Sequence, residues 1–597
     1  MTRFASAHPR EDHVLGSDAA LDPGPAIPTA VTAGPTPGGI AALRVRHLPW
    51  VLVVLTGAYG ILVRVWLLAH LPLFGDEAVV GLMGRGILAG HLDAFFWGQN
   101  YGGAEPYAVA AVLGPINGGP MGLNATPAIL AAVAAVLAYG VLRTGRASRS
   151  LAAVGGAMVW IWPYAATWNS VREIGFRGAT LCCGLVLVLC ALRVQQHRAG
   201  TATRLILGLA AGAGWWASPE IVYFAVPAVV LLVAGWDRLF SSPALDQHRW
   251  SGPWRVIPLL LSTAGIIVGA LPWLYANIRS GFASLQLGTP APPGFGYGTR
   301  VSVFFHDVLP SQLGLRTVPG GAWLGGNPLG KALFGVVLVA LAVMLVRAAW
   351  MARLGRAAAP LVASGVAVVA FPFIYAIFPT SWYWADGRYG VYLPPLIVLL
   401  AVWSLPSVIV SSSTAGAHTR HRGSMMRTAA ALASVGLLAG ACSTAVIAHE
   451  SAGIPTHPGA FFSGWSDPNQ AARQVIRSLA AHHIRTAYGD YWTAYDLDFL
   501  APDIVTVSPS PLDPRRSRSL ARTVARSTPQ AWLFFAPGDE VAAAVTFSNP
   551  DPGPGGYSQA AFTGYLTAHG NSYRVVRLGV LDAVIPRHPV RHLPPLG

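Results

Sequence analysis

The sequence predicts a polytopic α-helical membrane protein, with about 11 transmembrane helices and a C-terminal extracytoplasmic α/β domain. Three observations predict it. Charged residues fill only 11% of the 597 positions and hydrophobic ones 53%, whereas a soluble domain carries about 25% charge. Apolar runs long enough to span a bilayer, or nearly so, recur along the chain. Clusters of arginine separate alternate runs, as the positive-inside rule requires.

The apolar runs lie at 48–70, 124–142, 150–167, 178–193, 203–217, 219–236, 256–277, 331–349, 358–378, 389–409 and 428–448. Arg44 and Arg46 precede the first and put the N-terminus in the cytoplasm. Arg143, Arg146 and Arg149 follow the second run, and Arg193, Arg198 and Arg204 the fourth. Arg238, Arg249 and Arg255 follow the sixth, Arg347, Arg353 and Arg356 the eighth, and Arg420, Arg422 and Arg427 the tenth. Every cluster then falls on one side. The segments 71–123, 168–177, 278–330, 379–388 and everything after about 449 fall on the other. Residues 106–118 are apolar but too short to span, and are read as a helix at the outer interface. Counting them as a span would invert every later cluster.

Residues 1–42 are rich in Pro, Gly and Ala and read as a disordered cytoplasmic tail with no cleavable signal peptide. The transmembrane domain is placed at 43–449 and the outer domain at 450–597. In the latter, 468–483 reads as an amphipathic helix, and 485–489 and 531–535 as strands. Mean hydropathy is +0.49. The net charge of +15 could suggest nucleic acid, but its placement between apolar runs is topogenic. Lys331 is the only lysine, a bias that reads as composition rather than chemistry. Cys182, Cys183, Cys190 and Cys442 lie inside predicted spans and read as small apolar residues, with neither a CxxC spacing nor a disulfide framework.

Three outer segments concentrate chemistry. Phe74-Gly75-Asp76-Glu77-Ala78 places two adjacent carboxylates just past the first span, where ionisable groups are costly. They are either a general base for an acceptor hydroxyl or the acidic first turn of a helix starting near Ala78. Arg85, His91, Asp93 and Glu105 share this loop. Trp168-Asn169-Ser170-Val171-Arg172-Glu173-Ile174-Gly175-Phe176-Arg177 carries two arginines against the positive-inside trend. Guanidinium suits phosphate oxygens, and Glu173 could position the arginines or share a metal with Asp76. The bland reading is a surface salt-bridge cluster. Trp382-Tyr383-Trp384-Ala385-Asp386-Gly387-Arg388-Tyr389 sets Arg388 and Tyr389 among aromatics, either as a lipid-phosphate and sugar contact or as an interfacial belt. Glu220 and Arg279 are ambiguous between substrate contact and helix-end roles, and no role is read for His306 or Asp307. The chain has no P-loop, no GxGxxG after a strand and no HExxH.

Taken together these segments resemble the GT-C superfamily of membrane glycosyltransferases, most nearly the bacterial branch related to protein O-mannosyltransferases and aminoarabinose transferases (family 39-like). Gly75-Asp76-Glu77, Gly98-Gln99-Asn100-Tyr101-Gly102-Gly103 with Glu105, Arg172 to Arg177, and Trp215-Trp216-Ala217-Ser218-Pro219 carry the likeness. So do Leu271-Pro272-Trp273 through Arg279-Ser280-Gly281-Phe282, Arg388-Tyr389, and Tyr488-Gly489-Asp490-Tyr491-Trp492-Thr493-Ala494-Tyr495 in the tail. The resemblance implies a polyprenyl-phosphate-linked sugar donor, transfer on the outer face and inversion at the anomeric carbon. Its first-loop catalytic acid falls on Asp76, with Glu77 adjacent. Its second-loop acid falls on Glu173, which here lies between arginines rather than in the family's usual Asp context. Family members differ in metal dependence, so a divalent cation is left open, with no certain cofactor. Arg172, Arg177, Arg388, Tyr389 and Glu105 are the candidate substrate-binding residues. The acceptor could be a glycan, lipid or protein.

Two other readings compete. A transporter or flippase for a lipid-linked sugar would use the same topology, although transporters often show internal repeats and midplane charges, and neither is visible here. A noncatalytic assembly factor would leave the acidic pair vestigial.

Overall fold

In hydrocarbon each peptide group must find its partner within its own segment, so apolar runs fold as helices, and the computed structural model places helices on them. It describes residues 39–70, 73, 75–116, 119–162, 164–173, 175–240, 256–286, 293–316, 320–382, 387–405, 468–513, 516–536, 553–590 and 593. The tail 1–38, Phe74, Ile174, Tyr383 to Asp386, the run 428–448, the Arg420–Arg427 cluster and the 449/450 boundary lie outside these residues.

The helices are α1 (Gly39–His70), α2 (Gly75–Leu88), α3 (Glu105–Ile116), α4 (Pro120–Thr144), α5 (Arg149–Trp160), α6 (Tyr164–Asn169) and α7 (Arg177–Gln195). There follow α8 (Thr201–Ala217), α9 (Val222–Ala234), α10 (Ile257–Gly269), α11 (Leu271–Ser280), α12 (Tyr297–Val303) and α13 (Leu309–Gln312). Then come α14 (Asn327–Met351), α15 (Ala359–Ile377) and α16 (Leu393–Trp403). The protein is an integral membrane protein.

The helices are shorter and more broken than a count of spans implies. Among the described residues four are long and apolar enough to cross alone: Pro120–Thr144, Arg177–Gln195, Asn327–Gly355 and Ala359–Ile377. The run at 256–277 folds as α10 and α11, bent by 59°. The run at 150–167 stops at Trp160 and resumes at Tyr164, because Trp162 precedes Pro163 and is biased away from helical backbone. Residues 105–116 form the expected short helix, which packs on α2 and α4.

One pairing is closer than apolar patterning alone signals. Gly208 and Gly212 of α8 face Gly265 and Gly269 of α10. A Cβ at Gly208 would collide with the Ser262 carbonyl oxygen, and at Gly212 with that of Ile266. At Gly265 and Gly269 it would collide with the carbonyl oxygens of Leu205 and Leu209. Two Gly-x-x-x-Gly stretches thus bring the backbones into direct contact, the packing that small residues permit in membranes.

The C-terminal region is α/β as expected. It holds α17 (Pro468–Ala481), β1 (Thr486–Gly489), α18 (Tyr491–Leu500), β2 (Thr506–Pro509), α19 (Arg518–Arg526) and β3 (Ala531–Phe535), then α20 (Gln559–Ala568), β4 (Tyr573–Arg577) and β5 (Leu581–Pro586). The sheet order is β2-β1-β3-β5-β4. β1 is parallel to both β2 and β3, and β5 is antiparallel to β3 and β4. Val475, Leu479, Ala494 and Leu497 place α17 and α18 on one face. Val524, Phe562 and Leu566 place α19 and α20 on the other. The winding therefore reverses between β1 and β3, and α18 leaves the carboxyl end of β1 at that point.

From His47 onward the chain is one compact unit, and α18 packs directly on α2. Gly75 makes this possible, since a Cβ there would lie 2.7 Å from Trp492 Cε3. Arg85 Nη1 donates to the Phe499 carbonyl at 2.6 Å and its guanidinium lies 4.0 Å from that ring's centroid. Asp498, buried beneath this contact, accepts from the Val507 amide at 3.3 Å. Burial pushes its carboxyl up to about 7, against the opposing pull of the Val507 N–H and Arg85. An unfolded aspartate titrates near 3.9. The folded state therefore holds the extra proton, and stability is lost as pH rises through the window between these values. Asp498→Asn is expected to match wild type at pH 4 and to melt on the order of 2–4 °C higher at pH 7.5. Thermal unfolding at the two pH values checks this, and an equal offset at both would place the effect in packing instead.

Candidate active site

Asp76 and Glu77 occupy the first turn of α2. Neighbouring residues on a helix point about 100° apart, so the pair divides between two environments. Glu77 turns inward and is 0% exposed. Its Oε1 lies 3.2 Å from Arg172 Nη1, and its Oε2 accepts from Asn124 Nδ2 at 3.2 Å. Asn124 in turn accepts from the Glu173 amide at 3.2 Å. This ties α2, α4 and the loop before α7 together. Asp76 turns outward and keeps 18% of its side chain exposed. Its Oδ2 lies 3.5 Å from Arg388 Nη1, and its Oδ1 accepts a 2.6 Å bond from the Tyr491 hydroxyl.

Glu173 is fully buried, with Oε1 accepting from the Gly175 amide at 3.3 Å. Burial, together with Glu105 and Glu77 nearby, pushes its carboxyl well above the usual range. Glu105 accepts from the Gly178 and Ala179 amides at 3.2 and 3.0 Å. It thereby satisfies free donors in the first turn of α7, where the helix dipole favours negative charge. Burial still raises its carboxyl to about 7, with the two amides and Arg177 pulling the other way.

Arg177 is buried between rings, its guanidinium 4.8 Å from the centroids of both Phe176 and Tyr389. Glu220 is the acidic neighbour that favours its charge, and Glu220 accepts from the Tyr392 hydroxyl at 2.8 Å. The turn bearing Arg388 is held by Gln312, whose Nε2 donates to the Gly387 carbonyl at 2.8 Å. Gly387 has φ 68°, a left-handed conformation that glycine takes without strain.

A pocket lies beside these residues, lined by Arg64, Glu105, Arg172 and Arg177 together with apolar side chains such as Leu181 and Val391. Arg64 comes from α1 and donates to Ser170 Oγ and to the Gly60 and Trp160 carbonyls at 2.8–3.0 Å. Among the described residues no three His, Cys, Asp or Glu side chains converge as a metal site, and no step through a metal is assigned.

The crystal structure of ArnT from Cupriavidus metallidurans in the apo state superposes with a TM-score of 0.54 at 15% identity, over 92% of this chain and 98% of that one. ArnT bound to undecaprenyl phosphate gives 0.52 at 16% identity, over 90% and 98%. The chain shares the fold of ArnT. A weaker likeness, TM-score 0.44 at 12% identity over 84% of this chain and 71% of that one, reaches the archaeal oligosaccharyltransferase AglB from Archaeoglobus fulgidus in complex with an inhibitory peptide and a dolichol-phosphate. No protein-family model and no curated protein matches the sequence.

On this fold the eight candidate residues form two linked groups. Asp76 meets Arg388, and Tyr389 meets Arg177. Glu77 meets Arg172, while Glu173 and Glu105 face backbone amides behind them. Sequence patterning did not assign Tyr491, Arg516 or Arg64. Arg64 carried a readable signal, an ionisable group inside an apolar run. Tyr491 lay within a quoted motif, but 415 residues separate it from Asp76.

Proposed function

We propose that this protein is a membrane glycosyltransferase that moves a sugar from a polyprenyl-phosphate donor to an acceptor hydroxyl, with inversion and with Asp76 as general base. The observation that carries the reading is Asp76 itself: the part-exposed member of the acidic pair, placed between Arg388 and Tyr491. Its likeness to ArnT, a protein crystallised with undecaprenyl phosphate, supports the donor class. The cavity supports it too, since arginines suit a phosphate and apolar walls suit an isoprenoid.

The chemistry follows from the residues. The acceptor hydroxyl gives its proton to Asp76 as its oxygen bonds to C1 of the sugar. The bond from C1 to the phosphate oxygen breaks, and its electron pair leaves with the polyprenyl phosphate. Attack opposite the departing phosphate inverts the anomeric carbon. Arg177, Arg172 and Arg388 stabilise the charge that gathers on the leaving group. Tyr389 holds Arg177 by its ring face. Glu77, Glu173 and Glu105 act as positioning groups in this reading, since each is buried against a cation or backbone amides. In this reading the first loop and the C-terminal domain lie together on the extracytoplasmic side, which the contact between α2 and α18 and the placement of the arginine clusters support.

Reconstituted protein supplied with radiolabelled polyprenyl-phosphate sugars tests the reading. Label is expected to pass to an acceptor fraction from a cell-envelope extract. Movement of the labelled lipid between leaflets without transfer would overturn it in favour of a flippase.

A further inference from the structure

The C-terminal domain reaches into the proposed site through one side chain. The Tyr491 hydroxyl donates to Asp76 Oδ1 at 2.6 Å and itself accepts from Arg516 Nε at 3.2 Å. Arg516 is held in turn by two rings, its guanidinium 5.5 Å from the Phe96 centroid and 5.6 Å from that of Tyr491. The Tyr491 ring packs edge-on against Trp492 and Tyr495 at 4.8 and 5.1 Å. The Tyr495 hydroxyl accepts from the Arg516 and Ser517 amides at 2.6 and 3.1 Å. The chain from Arg516 through Tyr491 to Asp76 is therefore fixed at each joint.

Topology explains why this edge is the one presented. In parallel α/β sheets ligands meet the carboxyl ends of strands where the winding reverses. Here that point is the end of β1, from which Asp490 caps α18 by accepting from the Trp492 and Thr493 amides. Tyr491 is the next residue. The edge that a free-standing domain would offer to a ligand is turned onto α2.

We propose that Tyr491, backed by Arg516, is a positioning residue of the transferase site: it fixes the Asp76 carboxylate by Oδ1 so that Oδ2 faces the acceptor hydroxyl. The inference rests on the glycosyltransferase reading above. Burial and the charge of Asp76 hold the phenol well above its usual titration range, so it remains a donor. A carboxylate oxygen has two lone pairs. Among the described residues Oδ2 has only the long 3.5 Å contact from Arg388, which leaves it room to take a proton. Orientation of a reacting group at this precision is where enzymes gain rate without gaining affinity.

The experiment compares wild type, Asp76→Asn, Tyr491→Phe and Arg516→Gln as full-length reconstituted proteins, measuring kcat, donor KM and thermal unfolding. Tyr491→Phe removes one oxygen and keeps the ring contacts. Its kcat is expected to fall roughly 10–100-fold, the scale of one hydrogen bond to a charged group, with donor KM and melting temperature unchanged. Arg516→Gln is expected to fall in the same direction by less, which keeps the inference readable if Tyr491→Phe does not fold. A kcat for Tyr491→Phe within twofold of wild type would overturn the proposal. So would a loss in which kcat, KM and melting temperature all move together, because that marks a docking contact. Absence of transfer by wild type would overturn the glycosyltransferase reading itself, whereas transfer that depends on Asp76 but not on Tyr491 or Arg516 defeats this inference alone.

Discussion

Asp76→Asn is expected to lower sugar transfer by about 10²–10⁴-fold, the usual contribution of a positioned general base, while the protein stays folded. Asparagine has the same shape, and its carbonyl oxygen can still accept from Tyr491 or face Arg388, the two groups that hold Asp76. Neither contact is deeply buried, so breaking charge balance there costs little stability. What is lost is the capacity to take a proton. Initial rates with radiolabelled donor, read beside size-exclusion profiles of the purified variant, check both halves. Donor affinity should be unchanged, because the cavity arginines are elsewhere. A variant with normal rates would remove Asp76 from the mechanism.

The neighbouring carboxylate should behave in the opposite way. Glu77→Ala is expected to destabilise the protein by about 3–5 kcal/mol, since it removes a buried carboxylate that faces the Arg172 charge. Arg172 is 6% exposed, and Asn124 would lose its acceptor as well. Loss of folded material in detergent, or a fall in melting temperature well beyond that of Asp76→Asn, is the measurement. The double variant Glu77→Leu, Arg172→Met should recover much of the loss, because apolar side chains then replace the buried ion pair. If Glu77→Ala melted normally but lost activity, Glu77 would belong with Asp76 in the chemistry.

The contrast between these two residues marks how far the sequence could be read. An acidic pair beside a span, and arginines on the face where arginines are scarce, stand out because each is costly in place. That logic finds Asp76, Arg177 and Arg388. It cannot say which member of the pair looks inward, since this depends on helix phase and on Asn124 some 47 residues away. Nor could patterning reveal that Glu105 would accept from two amides at the start of α7, because a cap and a ligand contact ask for the same side chain. Apolar runs located the helices well, yet hydropathy is blind to a proline that splits one run and to a bend that divides another. The C-terminal domain's strands at 486–489 and 531–535 were legible from their composition. Its docking through Gly75 and Tyr491 was not, for a glycine in a loop has many explanations and a long-range contact leaves no local trace.

The glycine seam between α8 and α10 has a consequence for inheritance. A glycine codon is one base change from alanine, valine, arginine, an acid and, depending on its third base, serine, cysteine or tryptophan. Each of these adds a Cβ, and at Gly208, Gly212, Gly265 and Gly269 that atom lands on a carbonyl oxygen of the opposing backbone rather than on a side chain that could turn aside. No missense change at these four positions is conservative. Natural variants of this gene should therefore accumulate in the exposed stripes of the same two helices and leave the seam untouched.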